Sequence, residues 1–193
     1  MTSTLVLGGA RSGKSAFAQK AAETAADGRR PVLIATGQAF DDEMAERIAR
    51  HRADRGESWT TVEAPLDLPA AIAALPADAV AVVDCLTLWL SNLMLDEREV
   101  EAAGTELLQA AIACPARLWL VSNEVGLGIV PETPLGRRFR DEAGRLHQRL
   151  AQQVDEVYLV AAGLPLRLKP SSGDLAPSAF GAPDATRSSS CSP

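Results

Sequence analysis

The chain has 193 residues, of which 47% are hydrophobic and 23% charged, and a formal net charge of −6. That is one domain's length, with enough apolar residues to bury a core without disulfides or a structural metal. The acidic balance argues against sequence-independent nucleic-acid binding, no apolar run is long enough to span a membrane, and the opening MTSTLVLGGARSGKS lacks the pattern of a signal peptide.

The run Thr4–Gly8 predicts a strand, followed by an alanine-rich helix over Ser15–Ala26 that stops at the turn signal Asp27-Gly28. A second strand is expected at Val32–Thr36. The stretch Asp41–Arg55 opens with acids and ends with arginines, which suits the helix dipole at both ends. After a short extended run, Trp59–Val62, strands are expected at Ala79–Asp84, Leu118–Ser122 and Val157–Ala161, with a helical segment Leu86–Leu95 between the first two. Over Arg137–Val154 the residues Phe139, Ala143, Leu146, Leu150 and Val154 form one apolar stripe at helical spacing. His147 flanks that stripe and reads as a surface or structural residue. The five strand runs are apolar on both pleat faces, as in a parallel sheet covered on both sides. Strand and helix alternate, which argues for right-handed crossovers and a three-layer α/β domain with a mostly parallel central sheet. Of the 24 residues from 170 to 193, 13 are Pro, Gly or Ser, so the catalytic unit is expected over 1–169 and a disordered Ser/Pro/Ala-rich tail over 170–193.

Gly8-Gly9-Ala10-Arg11-Ser12-Gly13-Lys14-Ser15 fits G-x-x-x-x-G-K-[ST] between a predicted strand and a predicted helix. Glycines at those places let backbone N–H groups turn inward around an oligophosphate at the positive end of the helix. Lys14 is expected to reach the β- and γ-phosphates, and the Ser15 hydroxyl to ligate Mg²⁺. Asp84 closes its strand where a second metal-organising carboxylate is wanted; capping the helix that follows is the alternative role. A nucleoside triphosphate is the expected ligand.

On the Asp41–Arg55 helix, Met44, Ile48, His51 and Arg55 fall within about 60° of one another at 100° per residue. Arg47, Arg52 and Arg55 surround His51 and disfavour its cationic form, and a neutral imidazole is a nucleophile. His51 therefore admits two roles: a nucleophile beside a basic phosphate-attracting cluster, or a partly buried histidine among solvated arginines.

Three stretches, GGARSGKS, DDEMAERIARHRADRGESWTTVEAP and SNEVGLGIVPETPLGRRFRDEAGRLHQRLA, resemble the bifunctional adenosylcobinamide kinase/adenosylcobinamide-phosphate guanylyltransferase family. The resemblance runs from about Thr4 to Lys169. It implies a P-loop NTPase fold with RecA-like character, a homotrimer, and a cytoplasmic enzyme of late cobalamin biosynthesis. The implied reactions are phosphorylation of the adenosylcobinamide hydroxyl by ATP or GTP, then transfer of GMP from GTP through a GMP-histidine intermediate. The family's nucleophile falls on His51. Its nucleotide contacts fall on Gly8, Gly9, Ala10, Arg11, Ser12, Gly13, Lys14 and Ser15, on Ile34, Ala35 and Thr36, on Arg52, Ala53, Asp54 and Arg55, on Glu63, and on Asp84. Glu63 then accepts from a guanine amino group or a ribose hydroxyl; without the resemblance it is an exposed loop acid before Pro65. The loop Asn123–Pro131 follows the fourth predicted strand and is expected at a corrinoid-facing or catalytic wall, or as a purely structural loop. His147 departs from the pattern, standing where an asparagine is expected.

Two other functions fit the phosphate loop: a small-molecule kinase without guanylyl transfer, and a nucleotide-dependent switch or ATPase. A dinucleotide-binding enzyme does not, because G-x-G-x-x-G is missing. Cys85, Cys114 and Cys191 are scattered, with no CxxC and only two histidines in the chain, so a zinc site is unsupported and reduced thiols are expected.

Overall fold

The computed structural model describes residues 2–38 and 58–169, and its framework is a seven-stranded sheet. Strand β1 (Ser3–Gly8) lies inside it, parallel to β5 (Arg117–Asn123) on one side and to β6 (Glu156–Ala161) on the other. Beyond β5 come β4 (Val80–Asp84), β2 (Val32–Ala35) and the edge strand β3 (Thr60–Glu63), all parallel. The opposite edge is β7 (Leu164–Lys169), antiparallel to β6. This is the mostly parallel α/β sheet expected of the chain.

Helix α1 (Lys14–Ala26) covers one face. Its Ala18, Ala22 and Ala26 pack with Val6, Leu33, Val80, Val82, Val121, Val160 and Trp59. The other face lies under α2 (Leu68–Ala73), α3 (Leu86–Leu95), α4 (Val100–Ala113) and α5 (Pro134–Gln153). Leu5, Ile34, Ala81, Val83, Leu118 and Leu120 point into that second core. Strand residues thus alternate between two buried layers, which is why the runs read as continuously apolar.

On α5, Ala143, Leu146 and Leu150 are buried, with Phe139 packed against them. The helix starts three residues before the expected Arg137. Thr133 caps it, its Oγ1 accepting from the Gly136 N–H at 3.1 Å, and Pro134 takes the first-turn place that needs no N–H. Four elements are absent from the sequence-based expectations or differ from them. Trp59–Val62 was expected only as a short extended run; Thr60–Glu63 is a paired sheet strand, with β-branched Thr60, Thr61 and Val62 suited to it. Helices α2 and α4 were not expected, nor was β7. The β6–β7 hairpin turns at Ala162-Gly163, where φ is 52° and 79°, the double positive φ of a tight two-residue turn. The expected helix Asp41–Arg55 and the tail 170–193 lie outside the described residues.

Candidate active site

The phosphate loop runs from the end of β1 to the first turn of α1. Gly13, at φ 94°, stands just before the helix, and Arg11 also takes a left-handed φ of 56°. Gly8 is glycine for a steric reason: a Cβ there would lie 2.5 Å from both Ser12 Oγ and the Val160 carbonyl oxygen. Gly163, at the tip of the β6–β7 hairpin, donates its N–H to the Ser12 carbonyl at 2.8 Å, so the hairpin braces the loop from behind. Lys14 is buried and its Nζ donates to the Gly9 carbonyl at 3.1 Å, folding the side chain across the loop. Ser12 Oγ is buried without a protein partner, and Ser15 is half-buried on the first helical turn.

Register brings three of the expected residues into a row. Ala35 pairs with Glu63 on one side and Asp84 on the other, at the carboxyl ends of β3, β2 and β4. Val80 and Val82 belong to the α1-side core, so alternation puts Asp84, and with it Ala35 and Glu63, on the α1 face. At the usual strand spacing, the Cα atoms of Glu63 and Asp84 are about 10 Å apart. Glu63 is thus a strand-end residue rather than a loop acid. Ile34, one place back, is wholly buried in the other core.

Thr36 lies behind the row and is fully buried. Its hydroxyl donates to the Cys85 carbonyl at 2.7 Å and accepts from the Cys85 N–H at 2.8 Å. The Thr36 N–H reaches the Asp84 carbonyl at 3.3 Å, and Asn92 of α3 donates to the Thr36 carbonyl at 2.8 Å. Cys85 Sγ is 3.2 Å from Thr87 Oγ1, which accepts from Asn123 Nδ2 at 2.8 Å. Burial, and then the Asp84 carboxylate, push the Cys85 thiol above its ordinary range, while the Lys14 ammonium is near enough to oppose them. Sequence reasoning missed Thr87 and Asn92, took Cys85 only as a reduced thiol, and took Asn123 only as the first residue of the loop Asn123–Pro131. For Cys85 and Asn123 the available signal was a small polar residue at a strand's carboxyl end, because ligands gather at that edge in such sheets; Thr87 and Asn92 lie on α3 and carry no such signal.

Asn123 stands opposite Gly8 in register, and the Glu124 N–H donates to the Gly8 carbonyl at 3.0 Å. The loop that follows therefore starts at the phosphate loop. It exposes Leu127, Ile129 and Val130, and Arg137 Nη1 fastens its far end through the carbonyls of Pro131 and Glu132 at 2.9 and 2.7 Å. His147 is not on the surface: it is buried, its Nε2 2.7 Å from Ser122 Oγ. Burial holds it below the ordinary histidine range, with Glu124 acting weakly the other way, so its ring is neutral at neutral pH.

His51, Arg52, Ala53, Asp54 and Arg55 lie outside the described residues. The described chain stops at residue 38, two residues after Thr36, and resumes at residue 58. Among the described residues no group of three His, Cys, Asp or Glu side chains could hold a metal, and no helix is long and apolar enough to cross a membrane.

A phosphate-binding loop joined to an acid-lined sheet edge is common to many nucleotide enzymes; likeness over residues 4–168 decides among them. A family model described as cobinamide kinase / cobinamide phosphate guanyltransferase matches residues 4–168. The chain belongs to that family. It is 48% identical over 168 residues to the bifunctional adenosylcobalamin biosynthesis protein CobP of Pseudomonas aeruginosa, covering 86% of this chain and 96% of that relative. It is 41% identical over 181 residues to the bifunctional adenosylcobalamin biosynthesis protein CobU of Escherichia coli K12, covering 86% and 98%. Among solved structures, the flagellar accessory protein FlaH of Methanocaldococcus jannaschii superposes with a TM-score of 0.50 at 12% identity, over 88% of this chain and 79% of that one, a likeness of fold alone. The chain is a bifunctional enzyme, a cobinamide kinase and cobinamide phosphate guanylyltransferase, rather than a kinase alone or a nucleotide switch.

Proposed function

We propose that both reactions run at the carboxyl edge of β1, β2, β3 and β4, on one nucleotide site built from Gly8–Ser15, the main chain of Ile34–Thr36, Arg52–Arg55, Glu63 and Asp84, with His51 as the guanylyl acceptor. The observation that carries this is the shared edge: Glu63, Ala35 and Asp84 stand in one row on the α1 face, at the carboxyl ends of three neighbouring strands. In the kinase reaction the cobinamide hydroxyl oxygen attacks the γ-phosphorus of ATP or GTP, the bond from that phosphorus to the β,γ-bridging oxygen breaks, ADP or GDP departs and the hydroxyl proton passes to solvent, with Lys14 offsetting charge on the phosphate oxygens. In the transferase reaction a neutral His51 nitrogen attacks the α-phosphorus of GTP. An N–P bond forms, the bond to the β-phosphate oxygen breaks and pyrophosphate departs, while the other ring nitrogen gives up its proton. A phosphate oxygen of cobinamide phosphate then attacks the same phosphorus and releases the histidine. Arg52 and Arg55 offset the charge that builds at the phosphate. Glu63 accepts from the guanine amino group or a ribose hydroxyl.

The donor set suits Mg²⁺. Ser15 and Asp84 offer hard oxygen ligands, too few to cage a metal alone, as fits an ion that keeps waters and shares substrate phosphates. Bound there, Mg²⁺ would neutralise phosphate charge. We further take the corrinoid to be the adenosyl form, the loop Asn123–Pro131 to face it, the assembly to be a homotrimer, the compact unit to be residues 1–169, and the compartment to be the cytoplasm. The decisive test uses GTP labelled at the α- or the γ-phosphorus, with Mg²⁺, followed by denaturation. Label from the α position alone, lost in acid, kept in alkali and absent from His51→Ala, is expected. No label on active enzyme refutes the covalent route, and label persisting in His51→Ala refutes the choice of residue.

A further inference from the structure

Thr36 stands among the nucleotide contacts proposed above, yet its side chain does other work. It is fully buried, and both hydrogen-bonding functions of its hydroxyl are taken up by the backbone of Cys85, at 2.7 and 2.8 Å. Thr36 shares a strand face with Ile34, in the α3-side core, whereas Asp84 points to the α1 face. The hydroxyl thus grips the residue after Asp84 from behind the sheet. Strand pairing between β2 and β4 ends at Ala35 and Asp84, so beyond it this grip and the 3.3 Å bond from the Thr36 N–H hold the two chains together. Asn92 holds Thr36 in turn, donating to its carbonyl and to that of Pro65 at 2.8 and 2.9 Å. On the far side, the Cys85–Thr87–Asn123 chain ties the same point to the end of β5, opposite Gly8.

We propose that Thr36 is a positioning residue: its hydroxyl fixes the backbone at Asp84–Cys85 and thereby sets the Asp84 carboxylate for the Mg²⁺–nucleotide complex, without touching the nucleotide itself. This rests on the proposed metal-side role of Asp84. The principle is that a functional carboxylate is only as well placed as the backbone that carries it. Ser12, Lys14 and Ser15 come from the phosphate loop and the first turn of α1 rather than from β2 or β4.

The test is equilibrium binding of mant-GDP to the full chain, followed by fluorescence across a MgCl2 titration. Thr36→Val fills the same volume without the hydroxyl; Thr36→Ser keeps it. The Mg²⁺ concentration at half-saturation is expected to rise at least fivefold in Thr36→Val and Asp84→Asn, to return within twofold of the parent in Thr36→Ser, and to rise no further in the double variant Thr36→Val/Asp84→Asn. Because Thr36→Val keeps the main chain through which Thr36 stands in the site, nucleotide affinity without Mg²⁺ should move less than twofold, which a direct contact from the hydroxyl would not allow. If the valine variant does not fold, Thr36→Ala carries the same comparison. A shift in Asp84→Asn with none in Thr36→Val overturns the proposal alone, as does a serine variant as impaired as the valine one. No shift in Asp84→Asn overturns the role of Asp84, and the proposal with it.

Discussion

Replacing Gly8 by alanine tests whether the first glycine of the phosphate loop is set by space or by chemistry. An added Cβ would meet Ser12 Oγ and the Val160 carbonyl oxygen, each at 2.5 Å. The serine hydroxyl is the end of a small side chain and can turn away. The Val160 carbonyl belongs to β6, paired with Gly8 in register, and it can retreat only by moving a strand. Forcing extra volume into such a place costs about 1–3 kcal/mol. For a domain of this size each kcal/mol shifts Tm by roughly 2–4 °C, so Gly8→Ala should lower Tm by about 2–12 °C. Gly9 is the internal control, because nothing lies within 4 Å of its added Cβ and it is not among the positive-φ glycines. Gly9→Ala should leave the Tm of the nucleotide-free protein within about 1 °C, the range of ordinary surface substitutions. Differential scanning calorimetry without nucleotide reads both. Equal Tm values for Gly8→Ala and the parent, or equal losses in the two variants, would refute the steric account.

Lys14→Met should lower mant-GTP affinity at least tenfold, since it removes the cation expected at the β- and γ-phosphates, with far-ultraviolet circular dichroism unchanged. His147 gives a pH dependence of defined sign. Its folded pKa lies below the unfolded value near 6.5, so both states are neutral above that pH and nothing is lost. As pH falls through the unfolded value toward the lower folded one, only the unfolded state gains the proton and stability declines; His147→Gln should flatten that part of the Tm-against-pH curve relative to the parent. Cys85 is buried with a raised thiol pKa, so native protein treated with iodoacetamide at pH 8 should keep Cys85 unmodified by peptide mass spectrometry until it is unfolded. Trp59→Phe removes the 3.0 Å bond from its indole N–H to Glu23 and should cost about 1 kcal/mol in urea unfolding.

What could be read in advance follows from how locally each feature is encoded. The stripe on α5 uses large residues at helical spacing and is plain to see. Helix α4 buries Val100, Gly104, Leu107 and Ala111 at the same spacing, but two of the four are too small to stand out from an alanine-rich background. Strand β7 alternates leucine with Pro165, Arg167 and Lys169 and leaves Leu164, Leu166 and Leu168 exposed, so it lacks the continuous apolar run that marks the buried strands. The phosphate loop was legible because steric demand at Gly8 and the left-handed turn at Gly13 each write a glycine into the sequence. The grip of Thr36 on Cys85 spans 49 residues and leaves no pattern in either neighbourhood. His147 shows the same limit: its partner Ser122 lies on another element, so the sequence could not tell a buried neutral ring from a solvated one.

The brace from Gly163 to Ser12 has a consequence for how the enzyme is made. Strand β1 is enclosed by β5 and β6, and the loop at its end leans on a hairpin about 150 residues further along the chain. A ribosome emits the phosphate-binding sequence early, yet the neighbours that shape it arrive only after most of the domain has emerged. Pairings over such separations are slow to form, because loop closure precedes any gain from contact. The nascent chain therefore carries GGARSGKS as an unformed segment through most of synthesis, and competence to hold a nucleotide arrives late, with β6 and the turn at Ala162-Gly163.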